Sequence, residues 1–132
     1  MAIQLRPGNG YHAYAGLYSN AHFIMALYRY LCWTGDIDFI SEVIDTEKRS
    51  ADWLLKNRSD GLIRPCGWLD AWPPKVKAQA QISIVTFIAL KELSQIFGYA
   101  DRPLEKEYYY REAILLSKRI KDVFFNPRNG LF

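Results

Sequence analysis

Asn57-Arg58-Ser59-Asp60-Gly61-Leu62-Ile63 returns 69 residues later as Asn126-Pro127-Arg128-Asn129-Gly130-Leu131-Phe132. The reading of this doublet decides the fold. Each copy ends a stretch whose apolar residues fall at three- and four-residue spacing, the mark of a helix with one face buried. Asp60 before Gly61 reads as a turn former rather than as a catalyst. Working outward from the first copy, the sequence predicts four helices, grouped as hairpin one over about residues 19–57, a loop over 58–75 and hairpin two over about 76–125.

In the first helix, Asn20 to Trp33, the residues Ala21, Ile24, Leu27, Tyr28 and Leu31 mark one stripe, and Phe23, Met25 and Ala26 widen it to most of the girth. A loop rich in glycine and aromatics, Pro7 to Gly16, precedes it. Thr34-Gly35 stops this helix and Asp36 suits the N-cap of the next. From Ile37 to Asn57 the pattern is one-sided: Ile37, Ile40, Val43, Ile44, Ala51, Leu54 and Leu55 share a face, opposite Asp38, Glu42, Asp45, Lys48 and Arg49. The third helix, Val76 to Phe97, is apolar around its middle, so burial on all sides is expected, and Gly98 is expected to end it. Pro103 fits the first turn of the fourth helix, where its missing N–H has no partner to lose. There Tyr109, Ala113, Leu116, Ile120 and Val123 are expected to face inward. Tyr108-Tyr109-Tyr110 covers three faces, so one ring belongs to the core and another to the surface. Trp33 and Trp53 read most simply as packing residues.

A buried helix followed by a half-wet one, twice over in units of about 65 to 70 residues, implies two concentric layers, an inner one wrapped by an outer one. The expected class is all-α. One domain is the default at 132 residues, a length that buries roughly two-thirds of its unfolded surface. The net charge of +3 is spread along the chain with acids between the bases, unlike the basic stripe of a nucleic-acid binder. Cys32 and Cys66 lack paired spacing and the first residues lack the pattern of a signal peptide, so a cytoplasmic setting is expected. The most apolar run, Ala78 to Leu90, is shorter than a membrane span and is interrupted by Gln79, Gln81 and Ser83. His12 and His22 have no spacing partner or acid cluster that would suggest a metal. No cofactor is implied.

The stretch Tyr14 to Ile40 (YAGLYSNAHFIMALYRYLCWTGDIDFI), then Ala51-Asp52-Trp53-Leu54-Leu55, then Asp60-Gly61-Leu62-Ile63 and Trp68-Leu69-Asp70-Ala71, resembles the catalytic domain of the six-hairpin glycosidases. These are (α/α)6 toroids that include glycogen-debranching amylo-α-1,6-glucosidases and α-L-rhamnosidases. The resemblance spans about Gly10 to Phe132 and covers two of the six hairpins. It implies a glycoside hydrolase, or an incomplete portion of one, acting on an α-linked glucoside or rhamnoside. In the debranching branch a W-M-D-A motif carries the proposed general acid, which puts that role on Asp70.

The chemistry around Asp70 fits. A carboxyl kept protonated near neutral pH needs a poorly solvated pocket, and Trp68 and Trp72 would supply one while stacking on a sugar face. Pro73-Pro74 would hold the loop rigid. His12, with Tyr11 and Tyr14, would line the cleft. Where relatives carry a glutamate at the start of the inner helix this chain has Gln81, which can hydrogen-bond a hydroxyl but cannot titrate. Where relatives place an aspartate after Y-x-G it reads Leu17-Tyr18-Ser19. Inverting hydrolysis uses an acid and a base roughly 6.5–9.5 Å apart, and no residue here matches the family's base, so the isolated chain is expected to be inactive. Read without the resemblance, Asp70 serves equally as a turn residue or N-cap for the helix near Val76. The competing function is a non-catalytic helical module that binds carbohydrate or a protein partner through its aromatic cleft. Two hairpins alone would leave inner-helix apolar surface bare, so self-association or further hairpins are expected to cover it.

Overall fold

The computed structural model describes residues 12–64, 80–128 and 130, and of residues 12–16 the backbone alone. The protein is all-α, with one two-stranded hairpin. In chain order the described elements are α1 (His12–Thr34), α2 (Ile37–Lys56), β1 (Arg58–Ser59), β2 (Leu62–Ile63), α3 (Ala80–Tyr99) and α4 (Pro103–Phe124). α1 and α2 form hairpin one; α3 and α4 form hairpin two.

Both helix turns are built on one left-handed residue followed by an N-cap. In hairpin one Gly35 takes φ +68°, and its N–H bonds Leu31 O at 2.8 Å, a single-bond helix stop. Asp36 then caps α2, its Oδ1 accepting from Phe39 N at 3.0 Å. In hairpin two Asp101 takes φ +56°, and Arg102 N bonds Phe97 O at 2.9 Å, the six-residue closure of a Schellman stop. Arg102 occupies the N-cap position and Pro103 the first turn. The two turns therefore correspond at an offset of 66 residues: Gly35 with Asp101, Asp36 with Arg102 and Ile37 with Pro103.

α3 is the centre of the packing. It contacts α1, α2 and α4, and ten of its residues are buried. Phe97 stacks on Tyr109 of α4, with ring centroids 5.4 Å apart and planes 6° from parallel. Both rings are fully buried, and such a pair contributes about 0.5–1.5 kcal/mol beyond the area it buries. By length and composition α3 would also pass for a membrane span, although the run Ala78 to Leu90 is too short for one. Its buried face accounts for that apolarity.

Side-chain bonds fix how the hairpins lie. Arg102 Nη1 reaches Asp45 at 2.9 Å, and the Tyr109 hydroxyl donates to Asp52 Oδ1 at 2.6 Å. Each pair is 57 residues apart, and the pairs are separated by seven residues on both helices, two full turns. α2 and α4 consequently run in the same direction at constant register. On α1 and α3, Tyr28 donates to Gln95, and Arg29 pairs with Glu92 at 2.9 Å. These contacts join the C-terminal halves of the two helices. Both helix turns thus lie at one end of the molecule, with α1 beside α3 and α2 bridged to α4.

Five expectations need correction. α1 starts at His12 rather than Asn20, because Leu17, Ala21 and Ile24 extend the buried stripe backward and Gly16 is accommodated within the helix. α3 runs through Gly98 to Tyr99, since the Phe97–Arg102 bond stops it instead. It is not buried all round: Ile84 is exposed, and Val85, Phe87 and Ile88 are half-buried. Val123 is exposed at 44%, lying on a flank of α4 beyond the stripe of Tyr109, Ala113, Leu116 and Ile120. Trp33 at 86% and Trp53 at 39% are surface residues and not packing residues.

Candidate functional site

The β-hairpin that precedes Asp70 in sequence, β1 and β2, is clamped in place. Ser59 pairs with Leu62 and Arg58 with Ile63. The two intervening residues, Asp60 at φ +52° and Gly61 at φ +77°, form the primed turn that matches strand twist, so the turn-former reading of Asp60 holds. Three contacts tie this hairpin down. Arg119 of α4 donates from Nε to Asp60 O at 2.9 Å and from Nη2 to Asp60 Oδ2 at 2.6 Å. Arg58 pairs with Glu112 at 2.6 Å. Ile63 N donates to the buried Ser83 Oγ of α3 at 3.2 Å. A side chain added at Gly61 would meet Arg119 Cγ at 3.1 Å, so the glycine serves both the backbone angle and the clamp.

Gln81 lies on the first turn of α3, exposed, two residues from the Ser83 anchor. His12 and Tyr14 lie on the first turn of α1, and their side chains are outside the described residues. Trp68, Asp70 and Trp72 lie outside them entirely. Of the sequence-derived site residues, then, Gln81 alone is described with its side chain, and the hairpin that precedes the others in sequence is fixed to α3 and α4.

At the opposite end the helix turns frame a second polar cluster that sequence reasoning missed. A cleft of about 320 Å³ is lined by Leu31, Cys32, Gly35, Ile37 and Tyr99. Beside it Tyr28 donates to Gln95. Its phenol is pushed above its ordinary pKa first by hydrogen bonding with Cys32 and then by burial. Burial also raises the Glu92 carboxyl, with Arg29 opposing. The cluster joins Tyr28 to Ile37 with Glu92 to Tyr99, two stretches more than 50 residues apart in sequence that no local spacing connects.

Glu47 was also missed. It is fully buried, neither carboxylate oxygen has a hydrogen-bond partner among the described residues, and burial pushes its pKa up to about 8. A signal was available. Glu47 falls in the sequence Ile40, Ile44, Glu47, Ala51, Leu54, which keeps the spacing of the buried stripe of α2.

No family profile, curated protein or solved structure matches this chain.

Proposed function

We propose that this chain is part of the carbohydrate-cleaving ring of a six-hairpin glycosidase acting on an α-linked glucoside or rhamnoside. Asp70 protonates the departing glycosidic oxygen, Trp68 and Trp72 stack on the sugar, and Gln81 bonds a hydroxyl. His12 and Tyr14 line the same cleft. The observation that carries this reading is the parallel placement of two successive hairpins, with α2 and α4 in constant register and β2 anchored at the start of α3. Hairpins stacked in one direction put every outer-to-inner loop at the same end, where several loops converge on one substrate.

The geometry assigns the described residues supporting work. Arg119, Glu112 and Ser83 hold the hairpin, which sets where the loop bearing Asp70 begins. Hydrolysis also requires a base, which this chain does not supply at a matched position, so turnover belongs to an assembly with further hairpins.

The test is a screen of α-glucosides, α-rhamnosides and trehalose with the intact parent protein, repeated with Asp70→Asn. Loss of a general acid should lower turnover by about 10²- to 10⁴-fold while sugar binding persists. Turnover unchanged by Asp70→Asn would remove that residue from the mechanism.

A further inference from the structure

Acids and bases interleave along the sequence, and the fold sorts them. α2 and α4 run in the same direction, so charges at matching ends of the two helices fall together. From Ile37 to Thr46 α2 carries Asp38, Glu42 and Asp45 and no base, and these lie toward the helix turns. From Ile114 to Phe124 α4 carries Lys118, Arg119 and Lys121 against Asp122 alone. These lie toward the end that holds the β-hairpin. There five exposed bases, Lys56, Arg64, Lys118, Lys121 and Arg128, enter no ion pair among the described residues. Two acids beside them are already engaged, Asp60 by Arg119 and Glu112 by Arg58.

Part of this charge has a local reason, since Lys56 and Lys121 occupy last turns, where a cation opposes the helix dipole. Arg64 belongs to no helix and Arg128 lies beyond α4, so that reason does not reach them. Like charges gathered at one end repel, and an anion bound there relieves the repulsion. Neighbouring groups point to an anion carried on a sugar. Trp53, 39% exposed, lies one turn before Lys56, and residues three apart on a helix are surface neighbours. Arg64 N bonds Asn57 O at 3.0 Å, which sets a second cation beside the same turn. An indole face flanked by cations suits a sugar ring that bears a carboxylate. Two of the four guanidiniums at this end, those of Arg58 and Arg119, are held by Glu112 and Asp60. What remains is scattered single charges and not a track along a phosphate backbone.

We propose that the β-hairpin end binds an acidic saccharide, one whose sugar units carry carboxylates, with Trp53 under a ring and Lys56 and Arg64 against its acid groups. This names a substrate class for the glycosidase reading and rests on that reading for the choice of a saccharide. Binding is read on the chain and turnover on the parent protein, so the two can fail separately. A parent that hydrolyses neutral α-glucosides while the chain ignores acidic saccharides would remove this inference alone. A chain that binds them while its parent cleaves no glycoside would remove the glycosidase reading alone.

The experiment is titration calorimetry of the 132-residue chain with oligogalacturonate, with a malto-oligosaccharide of equal length and with single-stranded DNA. Oligogalacturonate should bind the tightest of the three. Raising NaCl from about 0.05 M to about 0.5 M should weaken its binding by about tenfold or more, because exposed charges are screened. Lys56→Gln combined with Arg64→Gln should weaken it by about tenfold, the loss of two exposed charge pairs. Lys91→Gln, an exposed base midway along α3, should leave it unchanged. Circular dichroism confirms helix content, and Lys118→Gln with Lys121→Gln is the second pair should the first lose its helices. No binding of oligogalacturonate, equal binding of the neutral chain, DNA bound as tightly, or an affinity that neither salt nor the paired substitutions move would each overturn the proposal.

Discussion

Glu47 gives this fold a pH dependence. Its folded pKa of about 8 lies above its ordinary value of 4.5. Below pH 4.5 the carboxyl is protonated in both states and its ionisation contributes nothing to the pH dependence. Between 4.5 and 8 the unfolded chain releases the proton while the folded chain retains it, so stability falls as pH rises, and above 8 the loss is complete. The integrated effect is at most about 5 kcal/mol, at 1.36 kcal/mol per unit. Glu47→Gln should unfold at higher urea concentration than the unaltered chain at pH 8, with the difference shrinking to little at pH 4.5. A gap that stays constant across that range would argue against the buried carboxyl as its cause. Tyr109 makes the opposite kind of contribution. Its ring is fully buried against Phe97 while its hydroxyl reaches the partly exposed Asp52, which also pairs with Lys48 at 2.6 Å. Tyr109→Phe keeps the stack and deletes one hydrogen bond to a charged group, so it should cost about 1.5–3 kcal/mol. If the loss comes from that bond, Asp52→Asn combined with Tyr109→Phe should cost less than the two single changes added together.

At the scale of elements, the turns separate what the sequence discloses from what it hides. Asp36 as N-cap, Pro103 in a first turn and Asp60-Gly61 as a reversal were all legible, because each rests on backbone chemistry confined to a few neighbours. The split of Tyr108, Tyr109 and Tyr110 was legible for the same reason, since helical spacing alone separates one buried ring from two exposed ones. The extent of α1 and α3 was not. Gly16 and Gly98 read as breaks, yet both sit inside helices, because what stops a helix is the bonding of its final carbonyls. Asp101 does for α3 what Gly35 does for α1 without glycine's freedom. Asp101→Gly should therefore stabilise the chain by up to about 1 kcal/mol, the left-handed strain an L-residue carries. Gly35→Ala, where an added Cβ meets nothing within 4 Å, should lose a similar amount. Thermal melts of the two variants should move in opposite directions.

For the whole molecule, the doublet of Asn57 to Ile63 and Asn126 to Phe132 was enough to anticipate repeated hairpins. Gly61 and Gly130 share left-handed backbone, at φ +77° and +68°. The candidate site was less legible. The hairpin that precedes it in sequence is held by Arg119 bonding Asp60 and by Ile63 bonding Ser83, pairings that no local pattern encodes. The 86% exposure of Trp33 also could not be read from apolar spacing. The long-range fastenings have one more consequence. Each helix turn closes within a few residues, whereas Asp45 to Arg102 and Asp52 to Tyr109 bring together positions 57 apart. The entropy lost on joining chain ends grows with the intervening length, so the two hairpins can assemble as separate local units and their docking is left as the slower, collective event. A chain caught at that stage would hold most of its helix while its two halves still diffused apart.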